Sequence, residues 1–178
     1  MAKFYTADLH LDHFRIIGLC HRPFSTLEEM QNTLINNWNS VVSVNDDVYV
    51  LGDFCFSPAI FNEYIQKLNG VKHFLTGNHD ARAIKAVITK KKNDTKKIYQ
   101  NCIFHGNMLE VKDSGYKLVL CHYPIQEWNG FYKGTKMLHG HTHGSIGRSF
   151  KDNAFDVGVD LWKYTPVTLE QILNYKEV

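Results

Sequence analysis

The sequence predicts an α/β protein of two packed β-sheets with helices outside. Two observations predict it. In the first half, short apolar runs of strand type alternate with amphipathic segments of helical period. In the second half, strand-type runs follow one another across glycine turns, and a helical pattern returns only at the end. Phe4-Tyr5-Thr6-Ala7 is a short strand ending at Asp8-Leu9-His10. Ser25-Thr26-Leu27-Glu28 reads as a capping box opening a helix, with Leu27, Met30, Leu34, Trp38 and Val41 or Val42 on one face. Asn45-Asp46-Asp47 is a turn, and Val48-Tyr49-Val50-Leu51 a buried strand ending at Gly52-Asp53. Ser57-Pro58 starts a second helix, with proline at its first position, and Asn69-Gly70 stops it. Val71 to Leu75 is a strand ending at Thr76-Gly77-Asn78-His79-Asp80, and a helix carrying Ile84, Val87 and Ile88 follows. Gly106-Asn107, between Cys102-Ile103-Phe104-His105 and Met108-Leu109-Glu110-Val111, predicts a hairpin. Asp113-Ser114-Gly115 turns into a strand from Tyr116 to Cys121. Met137-Leu138, a strand from Ala154 to Val159 and a helix capped by Thr168 and Gln171 complete the chain.

The 178 residues fit one domain, 1–178. Hydrophobic content of 44% and aromatic content of 13% exclude a disordered chain. No apolar stretch approaches the ~20 residues that span a bilayer, and no signal pattern opens the chain, so a cytoplasmic protein without a membrane partner is expected. The four cysteines show no CxxC spacing and read as reduced thiols. A net charge of +2 neither demands nor excludes nucleic acid. The six lysines from Lys85 to Lys97 form a solvated basic stretch that would steer an anion if the fold places it near one.

Strand after strand ends in a hard or borderline metal ligand: Asp8 and His10, then Asp53, then Asn78 and His79, then His122, then His141 and His143. Strand ends of α/β folds face a common crevice, so five segments aim the same chemistry at one place. Imidazole and carboxylate without thiolate disfavour a structural zinc site and suit a catalytic ion. These eight candidate ligands are too many for one ion and fit two that share a carboxylate. His141 and His143 stand two apart in a glycine-flanked turn, so their rings diverge toward neighbouring ions. Two ions ~3.5–4 Å apart activate water and clamp a phosphoryl group. The chain has no GxSxG or Walker A motif to supply a different chemistry.

Asp8-Leu9-His10, Gly52-Asp53, Gly77-Asn78-His79-Asp80, His122 and Gly140-His141-Thr142-His143 resemble the motifs of the calcineurin-like metallophosphoesterase family, in the family's order. The resemblance implies a four-layer αββα sandwich of two mixed sheets flanked by helices. It implies one ion on Asp8, His10, Asp53 and His143, and a second on Asp53, Asn78, His122 and His141, bridged by Asp53. Manganese is the first expectation, with Fe, Zn, Ni or Mg as alternatives. His79 would stabilise the reacting phosphorus or protonate the leaving oxygen. Asp80 would orient His79, cap the following helix, or both. The chain has Phe54-Cys55-Phe56-Ser57 where phosphoprotein phosphatases carry Val-Asp-Arg-Gly, which argues against a protein phosphatase. The narrower likeness is to small bacterial and phage-encoded members.

His13, Arg22 and Tyr123 are candidate substrate contacts. Arg22 would grip phosphate with its guanidinium fork, and Tyr123 heads a loop with Trp128, Phe131 and Tyr132 that would stack a base or form a local packing cluster. The expected function is hydrolysis of a nucleotide-type or other small phosphodiester. A DNA or RNA nuclease, a phosphomonoesterase and a catalytically silent scaffold on the same fold are the alternatives.

Overall fold

A computed structural model describes residues 1–91, 98–147 and 149–175. The first half consists of β1 (Lys3–Thr6), α1 (Arg15–Leu19), α2 (Leu27–Val41), β2 (Asp47–Leu51), α3 (Pro58–Ile65), β3 (Val71–Leu75), α4 (Ala81–Lys91) and β4 (Cys102–Gly106). The second half consists of β5 (Met108–Asp113), β6 (Tyr116–Cys121), β7 (Lys136–His139), β8 (Ser149–Lys151), β9 (Ala154–Asp156), β10 (Val167–Thr168) and α5 (Leu169–Leu173). They build two mixed sheets. One runs β10-β1-β2-β3-β4, with β1 to β4 parallel and β10 antiparallel. The other runs β5-β6-β7-β9-β8, with β6, β7 and β9 parallel between antiparallel edges.

Alternation along the strands assigns each residue to a layer. Phe4, Val48, Val50 and Phe74 leave the first sheet toward its helices, where Met30, Leu34 and Trp38 of α2, Phe61 and Ile65 of α3, and Ile84 and Val87 of α4 meet them. Tyr5, Tyr49, Leu51 and Leu75 leave it on the other face and meet Leu118, Leu120 and Leu138 of the second sheet. The outer face of the second sheet buries Val119, Cys121, Met137 and Ala154 beneath Trp128, Ile125 and Phe131. That cover is a loop with one 3-10 turn, Phe131–Lys133. Trp128 is pinned there by its indole N–H, which donates to the Thr135 carbonyl at 2.9 Å. Trp128 and Phe131 therefore belong to local packing, and Tyr132 is exposed with its hydroxyl on Glu127.

The fold class matches the expectation, and several elements differ in detail. The hairpin expected at Gly106-Asn107 does not form, because β4 pairs parallel with β3 while β5 pairs antiparallel with β6 in the other sheet. Cys102 of β4 packs into the helix-facing core and Leu109 and Val111 of β5 into the inter-sheet core, which lie on opposite faces of the first sheet. The hairpin forms one turn later, where Asp113 pairs Tyr116 and both Ser114 and Gly115 take positive φ (47° and 84°), as a two-residue type I′ turn requires. The helix α2 is capped one residue later than expected, by Thr26, whose hydroxyl accepts from the Glu29 N–H. Ser57 and Thr168 cap α3 and α5 as their patterns predict. Ile88 is 40% exposed rather than packed. The strand expected from Ala154 to Val159 stops at Asp156 and gives way to a 3-10 turn, Val159–Leu161. Lys85 and Lys90 of the lysine-rich stretch lie on α4, while Lys92, Lys96 and Lys97 fall outside the described residues. Among the described residues no helix is long and apolar enough to cross a membrane, and the four cysteines are free thiols.

Candidate metal centre

Parallel pairing of β1, β2 and β3 places the loops after them side by side. Pairing continues past the strands: the Asp8 N–H donates to the Gly52 carbonyl at 3.1 Å, and the His10 N–H to the Asp53 carbonyl at 2.9 Å. From the second sheet, β6 delivers His122 and β7 delivers the turn holding His141 and His143, tied by the Gly140 N–H on the His122 carbonyl at 3.0 Å. Asp8, His10, Asp53, His141 and His143 all hold left-handed φ, between 47° and 72°. Asp and His tolerate this region better than most residues, and backbone strain of this kind gathers at functional sites. Gly140 matters for close approach: a Cβ there would lie 2.6 Å from Asp8 Oδ2. Its neighbour is thus Asp8, and the glycine that lets the backbone in against Asp53 is Gly77, whose Cβ would meet Asp53 Oδ1 at 2.2 Å.

Among the described residues the donors gather in three groups, Asp8 with His10 and His143, Asp8 with Asp53 and His122, and Cys20 with His143 and Asp160 behind the first. Asp53 Oδ2 lies 3.5 Å from His10 Nε2 and 3.6 Å from His122 Nε2, between the two. Asp8, His10, Asp53 and His122 are buried, and Asn78, His79 and His141 are exposed at the mouth. His122 Nδ1 lies 2.8 Å from the Leu51 carbonyl, so its proton sits there, and burial holds the ring neutral by lowering its pKa. The lone pair on Nε2 then faces Asn78 Oδ1 at 2.9 Å and Asp53 Oδ2 at 3.6 Å. Lone pairs facing lone pairs repel unless a cation lies among them, and this tautomer is the one a metal-binding histidine takes. Asp8 Oδ1 and His10 Nε2 are buried without a hydrogen-bond partner. Burial lowers the His10 pKa to about 2 and pushes Asp8 well above the usual carboxylate range, with Asp156 and Asp53 adding to the shift and His143 opposing it. Buried polar atoms are ordinarily satisfied, so these orphans and the hard-donor set fit divalent metal ions.

Around this cluster the remaining candidates divide. His79 lies on the rim, with Nε2 4.0 Å from Asp53 Oδ2 and its backbone N–H on Asp53 Oδ1 at 2.9 Å. Asp80 does not hold the His79 ring: its carboxylate accepts from the Gly77 N–H at 2.7 Å and the Phe54 N–H at 3.0 Å, tying the two loops together. Burial raises its pKa to about 6 against those two bonds. His13 is half-buried beside His10, ring centroids 5.3 Å apart. Tyr123 is 44% exposed and stands edge-on to His141 at 4.7 Å. Arg22 cannot grip substrate. It is buried, with Nε and Nη2 on Asp160 at 2.7 and 2.9 Å and further bonds to the Leu9 and Asp8 carbonyls.

Three positions in contact with the candidate site have no counterpart among the sequence candidates. Asp160 accepts from His143 Nδ1 at 2.7 Å and fixes that ring. Asp156 accepts from the Gly144 N–H at 3.2 Å and from the Thr142 hydroxyl, holding the histidine turn. Phe56 is exposed between His13 and His79. Asp160 sits four residues after Asp156 with no repeat or capping pattern to flag it; Phe56 was visible only as a departure from the phosphatase pattern. A separate cleft of about 760 Å³ on the outer face of β5 and β6, lined in part by Lys112, Tyr116, Lys117 and Lys133, shares no residue with these loops.

No protein-family model matches the chain. It is 33% identical over 186 residues to the uncharacterized protein MJ1445 of Methanocaldococcus jannaschii, across 99% of this chain and 93% of that protein. Its structure is similar to that of AQ665 from Aquifex aeolicus, a protein of unknown function, with a TM-score of 0.68, 22% identity and 96% of each chain covered. It is also similar to a structure described as a novel archaeal phosphodiesterase, with a TM-score of 0.52, 22% identity, and 89% of this chain and 82% of that one covered.

Proposed function

We propose that this chain, which belongs to the same family as the archaeal protein MJ1445 and carries the calcineurin-like metallophosphoesterase fold, is a metal-dependent phosphodiesterase. The observation that carries the proposal is the convergence of unsatisfied lone pairs: Asp8 Oδ1 and His10 Nε2 have no hydrogen-bond partner, and His122 Nε2 points at two oxygens. Asp8, His10 and His143 would hold one ion and Asn78, His122 and His141 the other, with Asp53 placed between them. Two divalent ions there, manganese being the first to try, would supply Lewis-acid polarisation of the phosphoryl oxygens and lower the pKa of water.

The chain's own residues do the rest. Water adds its oxygen to phosphorus and releases a proton to solvent. The P–O bond to the leaving group breaks with its electron pair on the leaving oxygen, which takes a proton from His79 Nε2; solvent restores it. Asp53 keeps His79 in place by accepting its backbone N–H. Asp80 holds the same loop to the Asp53 loop through Gly77 and Phe54. Arg22 is turned to Asp160 and brings no guanidinium to the phosphate. That suits a monoanionic diester better than a dianionic monoester. With manganese added, the protein is expected to hydrolyse bis-p-nitrophenyl phosphate. His79→Ala should lose about 10²-fold or more in kcat while binding metal as the wild type does. Asp53→Asn should lose one of two tightly bound ions by elemental analysis; full activity in the first variant or two tight ions in the second would sink the assignment.

A further inference from the structure

We propose that Phe56, backed by His13, is a stacking platform for a nucleobase on the leaving-group side of the site, so that the natural substrate is a phosphodiester whose departing alcohol is a nucleoside. The inference rests on the phosphodiesterase proposal. His79 hands its proton to the leaving oxygen, so the leaving group must lie against His79 and whatever surrounds it. What surrounds it is aromatic. The Phe56 ring stands edge-on to His79 at 4.9 Å and to His13 at 4.6 Å, and His13 is 6.2 Å from His79.

Phe56 is 37% exposed and takes no part in the three buried apolar clusters, although it is flanked by fixed residues. On one side Cys55 is buried and bridges Leu11, whose N–H donates to the Phe54 carbonyl at 2.9 Å. On the other side Ser57 caps α3, its hydroxyl accepting from the Ile60 N–H at 3.3 Å. The ring is therefore held out at the mouth of the site with little freedom to retreat. A large apolar side chain gains nothing from water there, and a held aromatic face is what a base needs, because every base has a π-face and stacking does not depend on its hydrogen-bonding pattern. Preorganisation of the platform lowers the ordering cost of binding. Tyr123 stands beside His141 and is not part of this platform.

Calorimetry on the manganese-loaded protein tests it with thymidine 5′-monophosphate, methyl phosphate and inorganic phosphate. In the wild type the nucleotide should bind about tenfold or more tightly than methyl phosphate, within the span that one stacked base contributes. Phe56→Ala should bring that ratio close to one, Phe56→Trp should keep it, and inorganic phosphate should bind all three proteins equally. Equal binding of nucleotide and methyl phosphate by the wild type would overturn the inference, and so would an undiminished ratio in Phe56→Ala. Hydrolysis of bis-p-nitrophenyl phosphate is scored separately. Wild-type hydrolysis with no nucleotide preference leaves the phosphodiesterase proposal standing and removes only this one.

Discussion

At the scale of single residues, the arrangement around His143 sets the quality of the proposed metal centre. Its Nδ1 is fixed by Asp160 at 2.7 Å, and Asp160 is fixed by the Arg22 fork at 2.7 and 2.9 Å. The same guanidinium holds the Asp8 carbonyl at 2.7 Å and the Leu9 carbonyl at 3.1 Å, so one side chain positions candidate ligands from both ends of the chain. Supports of this kind typically carry 10–100-fold in metal affinity. Asp160→Asn keeps the volume and removes the charge, and is expected to weaken manganese binding by about that factor with little change in KM at saturating metal; calorimetric titration of the ion reads it. Arg22→Lys cannot reproduce a planar fork and leaves a buried carboxylate under-partnered, so a loss of about 3 kcal/mol in urea unfolding is expected. None of this was legible beforehand. Arg22 read as a phosphate grip because it follows the first ligand loop, and its true partner lies 138 residues away. Asp8, His10, Asp53, Asn78, His122, His141 and His143 could be picked out because each ends an apolar run, a local pattern that needs no knowledge of the partner.

Among elements, the turns separate structural from functional glycines. Gly115 takes φ 84° in the β5–β6 turn with nothing within 4 Å of where a Cβ would stand. Gly115→Ala should therefore meet only the backbone penalty, about 1 kcal/mol in denaturant unfolding, with metal content and activity intact. Gly77→Ala is the contrast. Its Cβ would fall 2.2 Å from Asp53 Oδ1, so it must displace the carboxylate that lies between the two donor groups. Bound metal and activity should fall together, measured on protein whose circular dichroism spectrum still matches the wild type. Strands with a clear apolar run could be placed from the sequence to within a residue, as in β2 and β6, whereas α3 ends at Ile65, short of the Asn69-Gly70 stop. The Gly106-Asn107 turn could not be placed, because a two-residue turn between apolar runs does not say whether the runs share a sheet. Only the destination of Leu109 and Val111, in the core between the sheets, decides it.

For the molecule as a whole, two sheets meeting at their strand ends collect more carboxylate than the interior can carry alone. Asp8 is fully buried with its pKa pushed well up by burial, and burial raises Asp80 to about 6. Both groups hold protons in the folded state at pH values where the unfolded chain, titrating near 3.8, has lost them. Stability then falls as pH rises wherever the native state binds the more protons. In the metal-free protein these two groups pull stability down as pH climbs from about 4, while His10 and His122, whose pKa burial lowers, pull it up across the same range. A divalent ion reverses the balance at Asp8 by neutralising its charge, and it also competes with protons for the histidines, so both effects strengthen binding at higher pH. An ion present at a hundred times its dissociation constant contributes about 2.7 kcal/mol of stability per site. Thermal melts with chelator and with excess manganese are therefore expected to differ by several degrees at pH 7.5 and by much less at pH 5. A manganese-induced rise in Tm that is equal at both pH values would mean that the buried acids are not where the ions bind. Asp53→Asn, with one ion lost, should retain only part of the pH 7.5 increment.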